Sequence, residues 1–499
     1  MGRTFVAIAG LALAVGWPGA ALAAWNQAKT RHFTVYSEGK PQQLEQFATK
    51  LEKFDALLRM MTDTREDSEP NPVQVFMLSD DAEVKKLAHN PNIAGFYSTS
   101  ERSGYAILSR EPKAWKYGVG PEEVLFHEYA HHFMLRYFPA AYPAWYVEGF
   151  AEFYSVVTFE ADGRISYGEI PMSRVPTLVT LSIMPLKEMM ASTANWRNAQ
   201  QGDRYYGTAW LLTHYLRYTP ARIKEFSAYL TALTSGEKDA DPDRFFTGGV
   251  AALEKELRAY LKKGRVARTI LTPNELPQIS IALSPVDPAR AALIDLELKA
   301  MVGLPEEDRA GFATAVRKAV AKWPDSAHAA TLLAEAEQLV EDKAAALAAA
   351  DRAVAIDPGF GRAQAVRAEL LLEQAQDSDK AEDWKAALGA IIKANRADTE
   401  DPVPLALFYR YHRMKGGTMP QLGYDGLRKA FSLLPQSASY RLNYAQALAD
   451  KGEFATASLL LDPIAYSPHE SGMRVYAIAK KAAFDAGKSG SAEAEPAEE

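Results

Sequence analysis

Within residues 127–152 two histidines and three glutamates fall at helical spacing, a pattern suited to hydrolysis by a bound metal ion. In His127-Glu128-Tyr129-Ala130-His131 the histidines are four residues apart. On a helix they lie one turn above the other on the same face and can offer imidazole nitrogens to one cation, the H-E-x-x-H arrangement of zinc hydrolases. Glu128 projects beside the metal, where a carboxylate suits the task of general base toward a metal-bound water. Downstream, Trp145-Tyr146-Val147-Glu148-Gly149-Phe150-Ala151-Glu152 places Glu148 and Glu152 on one face of a second helix. One of these carboxylates can bind the ion while the other orients a ligating imidazole. His132 points about 100° away around the helix, which suits packing or hydrogen bonding rather than ligation. The plainer alternative is a helix whose histidines only hydrogen-bond, with Glu148 a solvated charge.

Two helices must carry these groups. Gly118-Val119-Gly120 breaks the chain, Pro121 fits a first helical position where its missing N–H is no loss, and Glu122 and Glu123 suit the positive end of the helix dipole. Phe138-Pro139 ends that helix and Pro143 opens the next. Upstream, Arg31–Ser37 and Val73–Leu78 read as strands, Gln42–Thr62 as an amphipathic helix and Asp80–Ala88 as a short helix. Ile93–Tyr97 and Gly104–Ser109 read as a hairpin. Together they predict a small mixed sheet whose last strand borders the cleft, either offering an edge to an extended substrate or simply closing the sheet. From Leu181 to Lys263 the pattern is helical.

The motif pair resembles the gluzincin metallopeptidases, in particular the peptidase-MA-like group, in which an HExxH helix is followed by a W-x-x-E-G-x-A-E helix. The resemblance covers roughly the first half of the chain. It implies an α+β zincin-like metallopeptidase domain binding Zn2+ through His127, His131 and Glu148, with Glu128 as base and Glu152 supporting a ligand from behind. Sixteen residues separate His131 from Glu148, fewer than in the best-known aminopeptidase branch, so that branch's substrate preference does not transfer.

Hydrolysis also needs a donor toward the oxyanion. Tyr206-Gly207-Thr208-Ala209-Trp210-Leu211-Leu212, preceded by Tyr205, is similar to the Y-x-x-[AS]-x-x-L segment of the same group and nominates Tyr206. The alternative is that both tyrosines are buried aromatics with satisfied hydroxyls. His214, in the same helix, reads as a core or surface residue.

The other half of the chain has a different grammar. Beyond a proline-bearing stretch at 266–288, read as a linker, the composition turns to Ala-rich helices, and Pro324, Pro358, Pro402, Pro435 and Pro468 follow one another at steps of 34, 44, 33 and 33 residues. Such a period marks paired-helix repeats that bury their apolar faces by stacking. Ala349–Pro358, Leu427–Pro435 and Tyr444–Phe454 resemble pieces of tetratricopeptide repeats. The expectation is an all-α tetratricopeptide-like domain over 289–486 after a peptidase domain over 24–265, with the long step taken up by a polar insert at Gln374–Glu382 and a disordered acidic tail at 487–499.

Arg3, the apolar run Phe5–Val15 and Ala21-Leu22-Ala23 read as a cleavable export signal over 1–23, and hence a periplasmic or secreted protein. No apolar run reaches the roughly 20 residues of a membrane span. Without cysteine the chain has no disulfide framework. With 56 basic against 63 acidic residues and no dense basic patch, nucleic acid is not an expected partner. The leading expectation is therefore an exported zinc metallopeptidase acting on a peptide or protein substrate, with repeats that hold the substrate or a protein partner. A scaffold whose repeats do the work beside a structural or silent metal domain is the alternative. Hydrolysis of a non-peptide amide would use the same site.

Overall fold

The computed structural model describes residues 25–65, 71–91, 93–110, 119–191, 198–237, 240–469 and 471–489. The expected export segment and positions 490–499 of the expected tail lie outside them. Its strands are β1 (Asn26–Lys29), β2 (Phe33–Ser37), β3 (Val73–Leu78), β4 (Gly95–Thr99), β5 (Gly104–Ser109), β6 (Thr158–Phe159), β7 (Ile165–Tyr167), β8 (Thr269–Leu271) and β9 (Ala282–Pro285). The main sheet runs β4-β5-β3-β2-β1-β9, and β6-β7-β8 form a small second one. β2, β3 and β5 are parallel to one another, whereas β4, β1 and β9 pair antiparallel with their neighbours.

Side chains alternate between two buried faces of the main sheet, which is why Val73–Leu78 reads as a nearly continuous apolar run. Phe33, Val35, Val73, Val75, Ala106 and Leu108 face helix α1 (Pro41–Thr62) and the histidine helix, α3 (Pro121–Tyr137). Phe54 of α1 stacks on Phe126 of α3 at 4.4 Å. Tyr36, Phe76, Leu78, Tyr105 and Ile107 face the other way, toward Val84 of α2 (Asp81–Leu87). Every residue of β5 is buried, so β5 is an interior strand and β4 forms the edge. The hairpin was expected, but its first strand rather than its last takes the border.

Behind the site lie α4 (Ala144–Ser155), α5 (Val175–Leu181), α6 (Leu186–Ala191), α7 (Ala199–Tyr218), α8 (Pro220–Thr234) and α9 (Gly249–Lys262). Helix α4 crosses α7 closely at Gly149, where an added Cβ would lie 2.7 Å from the Ala209 carbonyl oxygen.

The stretch 266–288 differs from the expected linker. β8 and β9 fall within it, and β9 pairs with β1 at four positions, Asn26 to Lys29 opposite Pro285 to Ala282. Antiparallel pairing needs only extended backbone, and prolines at the strand's end do not prevent it.

Among the described residues twelve helices follow, α10 (Pro288–Val302), α11 (Glu306–Val320), α12 (Ala327–Leu339), α13 (Lys343–Ile356), α14 (Gly361–Ser378), α15 (Ala381–Ala397), α16 (Pro402–Lys415), α17 (Gln421–Leu433), α18 (Ala438–Asp450), α19 (Phe454–Leu460), α20 (Asp462–Ala465) and α21 (Gly472–Asp485). Their apolar clusters each span neighbouring pairs, as stacked repeats require. Pro324, Pro358, Pro435 and Pro468 lie in the turns, but Pro402 opens α16 behind its cap Asp401, whose side chain accepts from the Val403 N–H. The 44-residue step is filled by long helices: the polar stretch 374–382 forms the last turn of α14 and the start of α15, turned by Asp379 in the left-handed region. No helix among the described residues is long and apolar enough to cross a membrane.

This stack does not stand apart from the first unit. Ile294 and Leu298 of α10 complete the second face of the main sheet. Further on, Arg102 Nε lies 3.6 Å from Asp401, the Tyr440 hydroxyl donates to the Glu101 carbonyl at 2.7 Å, and Arg136 donates to the Leu433 carbonyl at 3.3 Å.

Candidate metal centre

Helix α3 begins as its sequence predicts, with Gly120 extended at the cap, Pro121 at the first position and Glu122 and Glu123 in the first turn. One turn separates His127 from His131, and their Nε2 atoms stand 3.1 Å apart. Pro143 caps α4, which brings Glu148 under the pair with Oε2 3.3 Å from His127 Nε2 and 3.5 Å from His131 Nε2. Tetrahedral donors about 2.0–2.1 Å from a zinc ion stand roughly 3.3–3.4 Å from one another. The three atoms therefore have the spacing of three corners around one ion. Glu148 is 0% exposed, and neither of its oxygens has a hydrogen bond of good geometry among the described residues. A buried carboxylate left in that state is costly, and a cation among these donors would satisfy it. The residues present fit a zinc ion.

The electrostatics are those of buried carboxylates and imidazoles that stabilise one another's charged forms. Burial opposes ionisation of Glu148, but the charge of His131 and the close nitrogens of His127, His131 and His469 outweigh it and hold the carboxyl well below the usual range. Burial likewise disfavours an imidazolium at His127, yet Glu148 and Glu152 together raise its pKa to about 10. His127 uses both nitrogens: Nδ1 lies 3.4 Å from Glu152 Oε1. Glu152 is itself gripped by Arg174, whose Nη2 and Nε reach its two oxygens at 2.8 and 3.0 Å. Despite burial, Arg174 and His127 hold the Glu152 carboxyl down to about 2. Glu123, one turn before His127, is raised to about 7 by burial and by the charge of Glu152.

Tyr206 and Tyr205 separate here. The Tyr206 ring sits 6.2 Å from the His127 ring, with the Arg174 guanidinium 4.9 Å over its face; Tyr205 is fully buried in the core. Glu128 is half-buried beside the pair, and its charge acts on His469. His132 is turned into the core, stacked on Tyr129 and 2.6 Å from the Tyr97 hydroxyl; burial lowers it to about 3, so it is neutral. His214 is buried between the Ala267 carbonyl at 2.8 Å and the Tyr260 hydroxyl at 3.2 Å, away from the cluster.

Two groups at the site escaped the sequence reading. Arg174 lies just before α5 in a stretch without periodicity, where nothing local marks it. His469 follows Pro468 in the turn between α20 and α21, and its Nε2 lies 3.2 Å from Glu148 Oε1. Its only signal was that few histidines exist in the chain.

No protein-family model and no curated protein sequence matches the chain. Among solved structures it is similar to YrrB, described as a TPR protein with an unusual peptide-binding site, at 19% identity and a TM-score of 0.28 over 35% of this chain and 86% of that one. It is also similar to the MamA RS-1 ArsTM double mutant, at 14% identity and a TM-score of 0.27 over 38% of this chain and 93% of that one. At such scores the repeat architecture rests on the stacked helix pairs themselves.

Proposed function

We propose that this chain is an exported zinc-dependent hydrolase of peptide bonds, of the gluzincin type, with the metal held by His127, His131 and Glu148. The observation that carries the reading is the spacing of three donor atoms, 3.1, 3.3 and 3.5 Å, about a fully buried carboxylate. A zinc ion held there supplies Lewis acidity, polarising a carbonyl and bringing the pKa of water toward neutrality. Glu128 accepts the proton that the attacking water gives up and delivers it to the leaving nitrogen. Tyr206, beside His127, donates its hydroxyl to the oxygen that gains charge. Glu152 fixes the His127 ring through Nδ1, and Arg174 keeps Glu152 ionised for that task. The helical stack offers the surface that holds a protein substrate or partner.

A second reading, an interaction scaffold with a structural or silent metal domain, is favoured by one observation: the stack brings a third imidazole, His469, against Glu148. A closed structural site wants a fourth protein donor, whereas a catalytic one keeps a position for water. Metal analysis of the purified chain, joined to a peptide-library digest by wild type and Glu128→Gln, separates the two. Zinc in both proteins with cleavage by wild type alone supports the hydrolase. Zinc in both with no cleavage by either favours the scaffold, and a wild type without zinc removes the metal from both.

A further inference from the structure

The two oxygens of Glu148 face different parts of the chain. Oε2 is directed at His127 and His131, at 3.3 and 3.5 Å, whereas Oε1 meets His469 Nε2 at 3.2 Å. The first pair comes from α3; the third comes from the far end of the helical stack. We propose that the helical-repeat region is a working wall of the metal site, with His469 as the positioning residue that holds the outer oxygen of Glu148 and so commits the inner one to the metal. The inference rests on the zinc reading above.

A carboxylate on a short side chain can present one oxygen or both to a cation, and groups around it decide which. Glu148 is fully buried on α4, with no backbone donor in reach of Oε1 among the described residues. His469 fills that role from the mouth of the site: its side chain is 60% exposed while its Nε2 touches a residue that solvent does not reach.

A histidine on an exposed turn positions nothing unless the turn is itself held. Pro468 restricts the backbone before it, and the His469 N–H donates to Ser467 Oγ at 3.3 Å. Lys481 of α21 ties the turn's two flanks together, bonding the Ser458 carbonyl at 3.0 Å and pairing with Asp462 at 2.5 Å. The link to the metal helix is Arg441. Buried at 2% exposure, it donates to the Leu135 carbonyl on α3, the Pro435 carbonyl before α18 and the Leu460 carbonyl ending α19. One rigid guanidinium therefore fixes the end of the helix that carries His127 and His131 against the end of α19, from which the chain runs through α20 to the His469 turn.

The test is zinc affinity of the full chain, measured by competition with a chromophoric chelator, for wild type, His469→Ala and His469→Gln. Loss of such an outer partner weakens metal binding about 10–100-fold, and that loss is expected for His469→Ala. Gln keeps a donor at nearly the same reach and is expected to restore most of it, which a purely space-filling role would not produce. Cobalt substitution adds a second readout: wild type and His469→Ala should share one visible absorption envelope, because the ligands are the same. Equal zinc affinity in wild type and His469→Ala would overturn the inference while leaving the metal reading intact. A cobalt spectrum that loses a nitrogen donor in His469→Ala would make His469 a ligand and overturn the positioning role. Wild type without zinc would sink both.

Discussion

Zinc uptake should expel a proton from His127, and the cost follows from the site. In the metal-free chain burial opposes the imidazolium, but the two carboxylates flanking the ring outweigh it and place its pKa at about 10. Metals bind the neutral imidazole, so at lower pH each ion must displace that proton. At pH 7 the displacement spans about three pKa units, roughly 4 kcal/mol at 1.36 kcal/mol per unit. Apparent zinc affinity is then expected to rise about tenfold per pH unit from pH 7 to pH 9. Chelator competition across that range, corrected for the chelator's own titration, gives the slope; calorimetry in two buffers of different ionisation enthalpy counts the proton directly. Replacing Glu152 with Gln removes one of the two carboxylates and should flatten the slope. An affinity that does not change between pH 7 and pH 9, with no proton released, would refute the assignment of His127 as a ligand flanked by two charged carboxylates.

The same groups set the stability of the metal-free protein. The His127 contribution is present below its unfolded pKa of 6.5 and lost as pH rises toward about 10, and that of Glu152 is present above 4.5 and lost as pH falls toward about 2. Thermal unfolding of the metal-free chain should therefore peak between pH 4.5 and 6.5 as far as these groups contribute, and saturating zinc should remove the alkaline decline. Arg174→Met leaves Glu152 buried with His127 as its remaining charged partner, and breaking the buried pair should cost about 3–5 kcal/mol in denaturant unfolding; a loss below about 1 kcal/mol would mean the pair is exposed to water in solution. Gly149→Ala puts a methyl 2.7 Å from the Ala209 carbonyl oxygen and must push α4 off α7. Overpacking of that kind costs about 1–3 kcal/mol, and an unchanged urea midpoint would show that the two helices are not in close contact.

What the sequence disclosed and what it hid divide along a physical line. The convergence of His127, His131 and Glu148 is readable because each step is local: i,i+4 geometry stacks the histidines, Pro121 and Pro143 start the helices, and a short connection forces α4 back under α3. The alternating strands and the proline period are local in the same sense. β9 was hidden because Ala282–Pro285 has the composition of a connector and becomes a strand only when β1 offers its edge. Arg174 was hidden because its partners, Glu152, Asp203 and Tyr206, come from two other helices. The length of α14 and α15 was misjudged for a related reason: Gln374 and Asp383 bond each other across the turn, so a polar run that reads as an insert is the solvated end of two long helices. His469 was furthest from reach, since its position depends on how every helix pair before it packs on the next.

The packing of the stack bears on where this protein divides. Composition changes near residue 265, yet the apolar cluster on the second face of the main sheet takes Trp25, Tyr36, Phe76, Leu78, Tyr105 and Ile107 from one side of that point and Val286, Ile294 and Leu298 from the other. A cut there would strip the sheet of β9 and open a buried face to water. At the opposite end of the stack the contacts are of another kind: the Arg441 guanidinium on main-chain carbonyls and one imidazole on a carboxylate, while the apolar clusters there, among the described residues, stay within the stack. Apolar burial is the larger and less directional force, and hydrogen bonds are the more exacting in geometry. The near end of the stack is thus built to hold and the far end to align, and what it aligns is His469 against Glu148.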